Sequence, residues 1–179
     1  MEVLLIMDNK KKFRRRIIAF ALFIAALCLS LWEIHAVSLT NGGYGVLDMT
    51  KYDADVFARM MNESKDMGIY WKYYIFDFIF TAAFLNFMIQ MASGFNGPVI
   101  NRIKIVSYVV AAIRGILDMV ENSIMLNQIY SFPDVNSGLI NMCNTITRLK
   151  FHFMRVWFVC FILMFVLVRI SKKSEGQTK

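Results

Sequence analysis

The sequence predicts an all-α protein, a polytopic transmembrane four-helix bundle in which residues 1–179 form a single integral membrane domain. Two observations lead to this prediction. Of the 179 residues, 58% are apolar and 18% are charged, whereas soluble domains are roughly half apolar and roughly a quarter charged. The apolar residues also fall in four long blocks, and most of the charges lie between the blocks. This pattern is typical of helices that cross a membrane.

Each apolar block is long enough for one helical crossing, because a hydrocarbon core of about 30 Å needs roughly 20 helical residues. Lone strands in lipid would leave their backbone groups unpaired, so helices are the simpler prediction. The third block is the least apolar, since it contains Arg114, Asp118 and Glu121. We place the four transmembrane helices at about 17–38, 70–92, 104–127 and 148–170.

The distribution of Lys and Arg between the blocks predicts the orientation of the chain. Six basic residues precede the first block, and Arg102 and Lys104 lie between the second and the third. The segment 39–70 has three basic residues against five acidic ones, and the loop 127–144 has no basic residue. Alternate loops are therefore basic, which predicts that both termini are cytoplasmic. We interpret the net charge of +7 as an orientation signal and predict no nucleic-acid partner.

A secretory signal peptide is the alternative for the first block. A basic run precedes the apolar stretch, and Ala36 and Ser38 are small residues near a candidate cleavage point. The apolar stretch is long for a signal peptide, however, and Trp32, Glu33 and His35 interrupt the region before that point. We therefore predict that this block remains as a membrane span.

The first outer segment, about 51–67, is predicted to form a short amphipathic helix. Thr50 and Asp53 have the spacing of a capping box. The apolar residues that follow recur at helical spacing and are Val56, Phe57, Met60, Met61 and Met67. We expect this helix to pack over the bundle or to lie among the headgroups, with a lid over a site as the alternative.

Cysteine and histidine form no metal-binding or redox motif in the sequence. Cys28, Cys143 and Cys160 make no C-x-x-C pair, and His35 and His152 are isolated. The sequence also lacks a Gly-rich phosphate loop and a G-x-S-x-G motif. We therefore predict no cofactor and no metal.

Several charged residues share one predicted depth in the outer half of the bilayer. At about 1.5 Å per helical residue, Asp77, Asp118 and Arg155 each lie about 21 Å above the inner surface. The same arithmetic places a second set just above them, which contains Glu33, Glu121, Lys150 and His152. A charge at that depth costs a few kcal/mol unless it pairs or meets water. We therefore expect these side chains to face the interior of the bundle.

Helical spacing is consistent with inward faces that carry these charges. Three sets align: Arg114, Asp118, Glu121 and Asn122 on the third helix, Asp77 and Thr81 on the second, and Arg148, His152 and Arg155 on the fourth. Two interpretations follow. The charges could hold the helices in register, or they could line a pocket that opens to the outer side, where an amphiphile would enter near Tyr73, Tyr74 and His152.

Seven residues form a pattern of short motifs, and five of them belong to the sets named above. They are Asp77 in the second helix, D-x-x-E-N at Asp118, Glu121 and Asn122, Pro133 in the next outer loop, and T-x-x-K at Thr147 and Lys150. Over roughly residues 70–170 this pattern resembles a group of small, uncharacterised bacterial four-helix integral membrane proteins. The resemblance implies a topology, a location in the bacterial cytoplasmic (plasma) membrane and a candidate site, but no reaction.

We predict that the site binds a lipid headgroup or a small amphiphile, as a binding or transport-like module whose partners are membrane lipids. One alternative is an intramembrane enzyme that acts on a lipid-like substrate through an Asp/Glu pair. Another is a structural or assembly subunit, and a homo-oligomer or a membrane-protein partner is left open. The predicted site residues are Asp77, Arg114, Asp118, Glu121, Asn122, Thr147, Lys150 and Arg155, with Glu33, Tyr74, Arg148 and His152 as secondary members.

Overall fold

The computed structural model describes residues 2–40, 46 and 52–177, with side chains described within 10–40, 46 and 52–171. The described chain is all-α, as predicted, and no described residue lies in a strand. Its five helices are α1 (Glu2–Thr40), α2 (Ala54–Glu63), α3 (Gly68–Ala92), α4 (Pro98–Ser131) and α5 (Ser137–Gln177).

Three of the described helical segments are long and apolar enough to cross a membrane. They are Lys10–Thr40, Gly68–Ala92 and Ser137–Ser171, and they contain the first, second and fourth predicted spans. The third predicted span, 104–127, lies within α4 and is helical throughout. It does not belong to this set, because its charged residues interrupt the apolar stretch.

The helices α1, α4 and α5 extend well beyond the predicted spans. α1 continues through the basic run that precedes the first block, and α5 begins at Ser137 rather than near 148. Hydropathy detects only the apolar part of a helix, whereas the backbone hydrogen bonds continue into polar sequence on either side. The sequence therefore located the helices but underestimated their lengths.

The amphipathic helix α2 is shorter than the predicted segment 51–67. Asp53 is its N-cap and accepts a hydrogen bond from the Val56 amide at 2.9 Å. Thr50, which was predicted to open a capping box, lies outside the described residues. The buried face of α2, Phe57 with Met60 and Met61, packs into the end of the bundle. We call this end of the molecule the α2 end.

The long helices pack as a series of neighbours, α1 against α3, α3 against α4 and α4 against α5. Gly115 allows α3 and α4 to approach closely, since a Cβ atom there would lie 3.3 Å from Leu85 Cδ2. The turn between the same two helices contains Gly97 at φ 151°, a conformation that favours glycine. Lys104 Nζ closes this turn by donating to the Phe95 carbonyl at 2.8 Å.

Apolar side chains form three clusters along the bundle. At the α2 end, Tyr52, Phe57, Tyr70, Tyr74, Met125 and Ile140 form the largest of them. The middle cluster contains Phe84, Met88, Val110 and Trp157, and the cluster at the opposite end contains Ala92, Ile100 and Met164. Between the first two clusters lies a layer of buried charged and polar residues.

Candidate functional site

Asp118 on α4 is the centre of this buried polar layer. One of its carboxylate oxygens accepts a hydrogen bond from Thr81 Oγ1 at 2.5 Å and from Arg114 Nη2 at 2.9 Å. The other oxygen accepts from Lys150 Nζ at 2.8 Å. The residue is 1% exposed. Helices α3, α4 and α5 therefore meet at a single carboxylate, and both of its oxygens are satisfied.

Glu121 lies one helical turn closer to the α2 end and shares a cation with Asp118. Lys150 Nζ is 2.7 Å from Glu121 Oε2, so one ammonium group joins two carboxylates. Thr147 Oγ1 donates a hydrogen bond to the other oxygen of Glu121. Glu121 is fully buried and Lys150 is 4% exposed. Breaking such a pair would leave an uncompensated charge in an apolar interior, which is costly.

A third carboxylate, Asp77 on α3, joins the layer through an amide. Asn122 Nδ2 donates a hydrogen bond to Asp77 Oδ2 at 2.7 Å. Asp77 and Asn122 are both buried, at 6% and 0% exposure. The layer thus contains three carboxylates and two cations on three helices.

Matched spacings on facing helices produce this arrangement. Asp77 and Thr81 are four residues apart on α3, and their partners Asn122 and Asp118 are four residues apart on α4. Likewise Glu121 and Asp118 are three apart, as are their α5 partners Thr147 and Lys150. Antiparallel neighbours with equal steps bring both members of each pair into register. The D-x-x-E-N and T-x-x-K motifs therefore describe two contacting helix faces.

Arg114 occupies the side of the layer that faces away from the α2 end. Its guanidinium carbon lies 4.5 Å from the centroid of the Phe84 ring, within cation–π distance, while Nη2 contacts Asp118. Arg114 is 6% exposed. The aromatic ring and the carboxylate together hold the guanidinium in one orientation.

A cavity of about 570 Å³ reaches this layer from the face between α1 and α5. This volume is within the range of roughly 300–1,000 Å³ that is typical of small-molecule sites. Four of the charged residues, Asp77, Arg114, Asp118 and Lys150, line its polar part. The rest of the lining is mostly apolar and aromatic, with Phe23, Leu27, Leu31, Ile34, Tyr73, Phe80, Phe84, Phe87, Phe151, Met154 and Phe158, and it includes Ser30.

The cavity reaches the surface of the bundle between α1 and α5. Leu31 on α1 and Phe158 on α5 line it and are 55% and 44% exposed. Phe23 stacks on Phe84 and Phe87, at centroid distances of 5.1 and 4.6 Å, and forms part of the wall. An apolar chain that lay against this face could therefore reach the buried charges from the side.

Two of the secondary site residues are buried and make contacts outside the layer. Glu33 is 4% exposed and pairs with Lys72 Nζ at 2.9 Å on α3, so it contributes to a separate ion pair. Tyr74 is buried in the cluster at the α2 end and packs edge-to-face against Tyr73, with ring centroids 5.0 Å apart. Of these two tyrosines, Tyr73 lines the cavity and Tyr74 does not.

The prediction that Arg155 belongs to the layer is wrong, and the same holds for Arg148 and His152. All three are exposed on α5, and Arg148 Nε donates to Asn144 on its own helix. The helical rise per residue gives the height of a residue in the membrane, but not the direction in which its side chain points. The buried face of α5 carries Cys143, Thr147, Lys150, Trp157 and Met164, and the other three residues lie outside this stripe.

The expected opening at the α2 end is absent from the described residues. The tyrosines and methionines of the largest apolar cluster cover the layer there, and they include Tyr70, Tyr73, Tyr74 and Met125. Asp118 and Glu121 are buried, whereas a wet outer pocket would expose at least one carboxylate. The reason is α2 itself, because its Phe57 and Met60 fill the end of the bundle.

Sequence reasoning missed three residues that the structure brings to the site or next to it. Phe84 supports Arg114, Ser30 lines the cavity from α1, and Lys72 neutralises Glu33. Phe84 could have been found, since it lies seven residues after Asp77 and hence on the same face of α3. Ser30 is a single hydroxyl residue in an apolar block and gave no signal.

The chemistry of the layer favours binding and helix packing over proton transfer. Asp118 and Glu121 share Lys150, so neither resembles a carboxyl group that is held ready for general acid catalysis. Glu121 and Thr147 also do not line the cavity. Among the described residues, no three His, Cys, Asp or Glu side chains are grouped to hold a metal ion.

No protein-family model matches the chain, and no curated protein or solved structure matches it. The resemblance to small bacterial four-helix membrane proteins stays a prediction from the motif residues.

Proposed function

We propose that the protein crosses the membrane four times and binds a lipid or another single-chain amphiphile in the cavity between α1 and α5. The apolar chain would lie along the two outer helices, and the polar head would meet the charged layer on α3 and α4. Both termini would be cytoplasmic, and the membrane would be the bacterial cytoplasmic membrane that the motif resemblance implies.

The exposed surface of α4 supports the fourth crossing. Between Ile105 and Val120 every exposed side chain is apolar, and these residues are Ile105, Val106, Val109, Ala112, Ile116, Met119 and Val120. The charged residues of this part of the helix, Arg114 and Asp118, are buried against α3 and α5. The low average hydropathy of α4 therefore comes from residues that lipid would not contact.

One observation carries the binding proposal: a single cavity joins a long apolar wall to a fixed charged layer. Helix-packing contacts alone do not require such a cavity, because bundle interiors are close-packed. Lateral access also fits the closure of the α2 end by tyrosines and methionines. An amphiphile from the bilayer would reach the site without passing through water.

The ionic network also stabilises the bundle, and this role is compatible with binding. Most of its members pair across a helix interface, whereas Arg114 pairs with Asp118 on its own helix. If the network had only a structural role, the cavity would bind no ligand. Experiment can therefore distinguish a structural role alone from a structural role combined with ligand binding.

Photolabelling in lipid nanodiscs tests the proposal. The probe is a monoacylglycerol whose palmitoyl chain carries a diazirine, and the labelled peptides are mapped after irradiation. We expect labelling of 27–34 and 151–158 that an excess of unlabelled monoacylglycerol removes. Labelling of the exposed face of α4, near Ile116, should not decrease when unlabelled monoacylglycerol is added, because this face lies outside the cavity. Uniform, non-competed labelling by this probe and by its sulfate and trimethylammonium counterparts would contradict the proposal.

A further inference from the structure

Two residues that line the cavity each carry a buried polar atom that has no hydrogen-bond partner among the residues that the structure describes. These atoms are Nη1 of Arg114 on α4 and Oγ of Ser30 on α1. Arg114 is 6% exposed and Ser30 is 7% exposed, so water outside the bundle does not solvate them. Buried donors are normally satisfied, and each exception calls for an explanation. A ligand in the cavity provides one.

Ser30 lies at the level of the charged layer on the opposite wall. The Glu33–Lys72 ion pair and the Phe23–Phe84 ring contact fix the register of the antiparallel helices α1 and α3. Ser30 lies between the two α1 residues of these contacts, and its height corresponds to that of Asp77 on α3. Ser30 therefore belongs to the polar part of the cavity lining and not to its apolar part.

The formal charge of the layer restricts the kind of head that these groups can hold. Asp77, Asp118 and Glu121 are opposed by Arg114 and Lys150, so the five residues together carry one net negative charge when ionised. An anionic head would add a second negative charge at low dielectric, beside Asp77 and Asp118 in the same cavity. A quaternary ammonium head carries no acceptor and would leave the Arg114 N–H unsatisfied.

We infer that the cavity selects an amphiphile with an uncharged head that accepts hydrogen bonds, such as the ester carbonyl and hydroxyl groups of a monoacylglycerol. The Arg114 Nη1 group donates to an oxygen of the head, and the Ser30 hydroxyl bonds to a second oxygen. Nη2 of Arg114 remains with Asp118, so the ion pair and the ligand use different edges of one guanidinium. This inference rests on the proposed function, since it specifies the head of the ligand that the cavity would take.

The test uses three photoactivatable probes that share one palmitoyl-length chain and differ only in the head. They carry a glycerol ester, a sulfate or a trimethylammonium group, and each is titrated on the full-length protein in nanodiscs. We expect the ester to give competed labelling of the cavity at the lowest concentration. Ser30→Ala should weaken its binding by roughly three- to tenfold, the effect of one hydrogen bond.

Ser107→Ala is the matched control. Ser107 is also a buried serine whose Oγ has no hydrogen-bond partner among the described residues, but it does not line the cavity. Its replacement should leave the binding of all three probes unchanged. Arg114→Lys provides a second variant, because lysine can keep the charge beside Asp118 but lacks the second guanidinium edge. The Arg114→Lys variant should bind the ester probe more weakly than the wild-type protein. Its unfolding midpoint is measured in parallel, so that a loss of binding is not confused with a loss of stability.

The outcomes separate the inference from the proposed function. Equal binding of the three probes, with no effect of Ser30→Ala, would overturn the inference and leave the proposed function intact. Tightest binding of the sulfate or of the trimethylammonium probe would also overturn it. Failure of every probe to give competed labelling of the cavity would overturn the proposed function itself.

Discussion

At the scale of residues, Lys150 is the side chain on which the buried layer depends most. Its ammonium group contacts two carboxylates, Asp118 at 2.8 Å and Glu121 at 2.7 Å. Asp118 keeps Arg114 and Thr81 if Lys150 is removed, whereas Glu121 would keep Thr147. The two carboxylates therefore differ in how much they need the lysine.

We expect Lys150→Met to lower the free energy of unfolding by about 3–5 kcal/mol, because it leaves Glu121 as a buried charge without its cation. The double variant Lys150→Met with Glu121→Gln should recover more than half of this loss. Arg155→Met is the matched control on the same helix. Since Arg155 is exposed and lies outside the layer, its replacement by an apolar side chain should not lower the free energy of unfolding.

Denaturation in mixed detergent micelles, followed by circular dichroism, measures these changes. A Lys150→Met variant as stable as Arg155→Met would show that the network contributes little. A double variant less stable than the single one would show that Glu121 and Lys150 are not coupled as the distances indicate.

The residue scale also shows where sequence reasoning reached its limit. Asp77, Asp118, Glu121, Asn122, Thr147 and Lys150 were predicted together and lie in one buried layer. Arg155 was predicted with them because it has the same calculated depth as Asp118. The error arose because the depth of a residue in the membrane does not determine the side of the helix on which its side chain lies. On α5 the side that packs against the bundle is marked by the buried residues from Cys143 to Met164. Arg155 lies outside that stripe, on an exposed face of α5.

At the scale of elements, α2 shows how a short helix acquires a defined start. Its ten residues are too few for a stable isolated helix, so capping and packing decide its stability. Asp53 satisfies the amide of Val56, and Phe57 with Met60 and Met61 anchors the helix in the α2 end of the bundle. The sequence predicted this helix and its apolar face. The N-cap is Asp53, three residues after Thr50, which was predicted to open the capping box.

We expect Asp53→Ala to destabilise α2 by about 1 kcal/mol, through loss of the N-cap hydrogen bond. Hydrogen–deuterium exchange of the α2 amides should then accelerate about fivefold. Glu63→Ala is the control, because a carboxylate at the helix C-terminus has no favourable interaction with the helix dipole to lose. Equal acceleration in both variants would contradict the assignment of Asp53 as the cap.

The proposed crossing of α4 is tested by finding on which side of the membrane each end of the helix lies. Single cysteines are placed at Lys65, Asn96 and Asp134 after the native cysteines have been replaced, since these three residues are exposed between helices. A membrane-impermeant maleimide should label Lys65→Cys and Asp134→Cys from outside intact cells, and Asn96→Cys only after lysis. If α4 does not cross the membrane, Asp134→Cys should behave like Asn96→Cys and be labelled only after lysis.

At the scale of the whole molecule, the long helices form a bundle in which apolar clusters and a charged layer follow one another along its length. The α2 end is closed by aromatic and methionine side chains, and a second apolar cluster packs the middle. The charged layer lies between them and is reached from the face between α1 and α5. The sequence predicted the helices and most of the layer, because both follow from local periodicity.

The cavity could not be predicted from the sequence. It depends on which helices are neighbours, and local periodicity carries no information about that. The expected opening at the outer end was consistent with the depth of the charges, but α2 fills that end. The lateral cavity arises because α1 packs against α3, and α5 packs against α4, so that a space remains between the two outer helices.

The binding affinity of a variant with a filled cavity tests the central claim most directly. Leu27 lines the cavity on α1, and Leu22 is an exposed residue of the same helix outside it, so Leu27→Trp and Leu22→Trp are matched substitutions. The dissociation constant of radiolabelled monopalmitoylglycerol is measured for both variants and the wild-type protein in nanodiscs. Leu27→Trp should weaken binding by roughly five- to 150-fold, because the indole ring takes up space in the cavity and overfilling it with the ligand costs about 1–3 kcal/mol. Leu22→Trp should bind like the wild type. Wild-type affinity in the Leu27→Trp variant would contradict a binding site between α1 and α5.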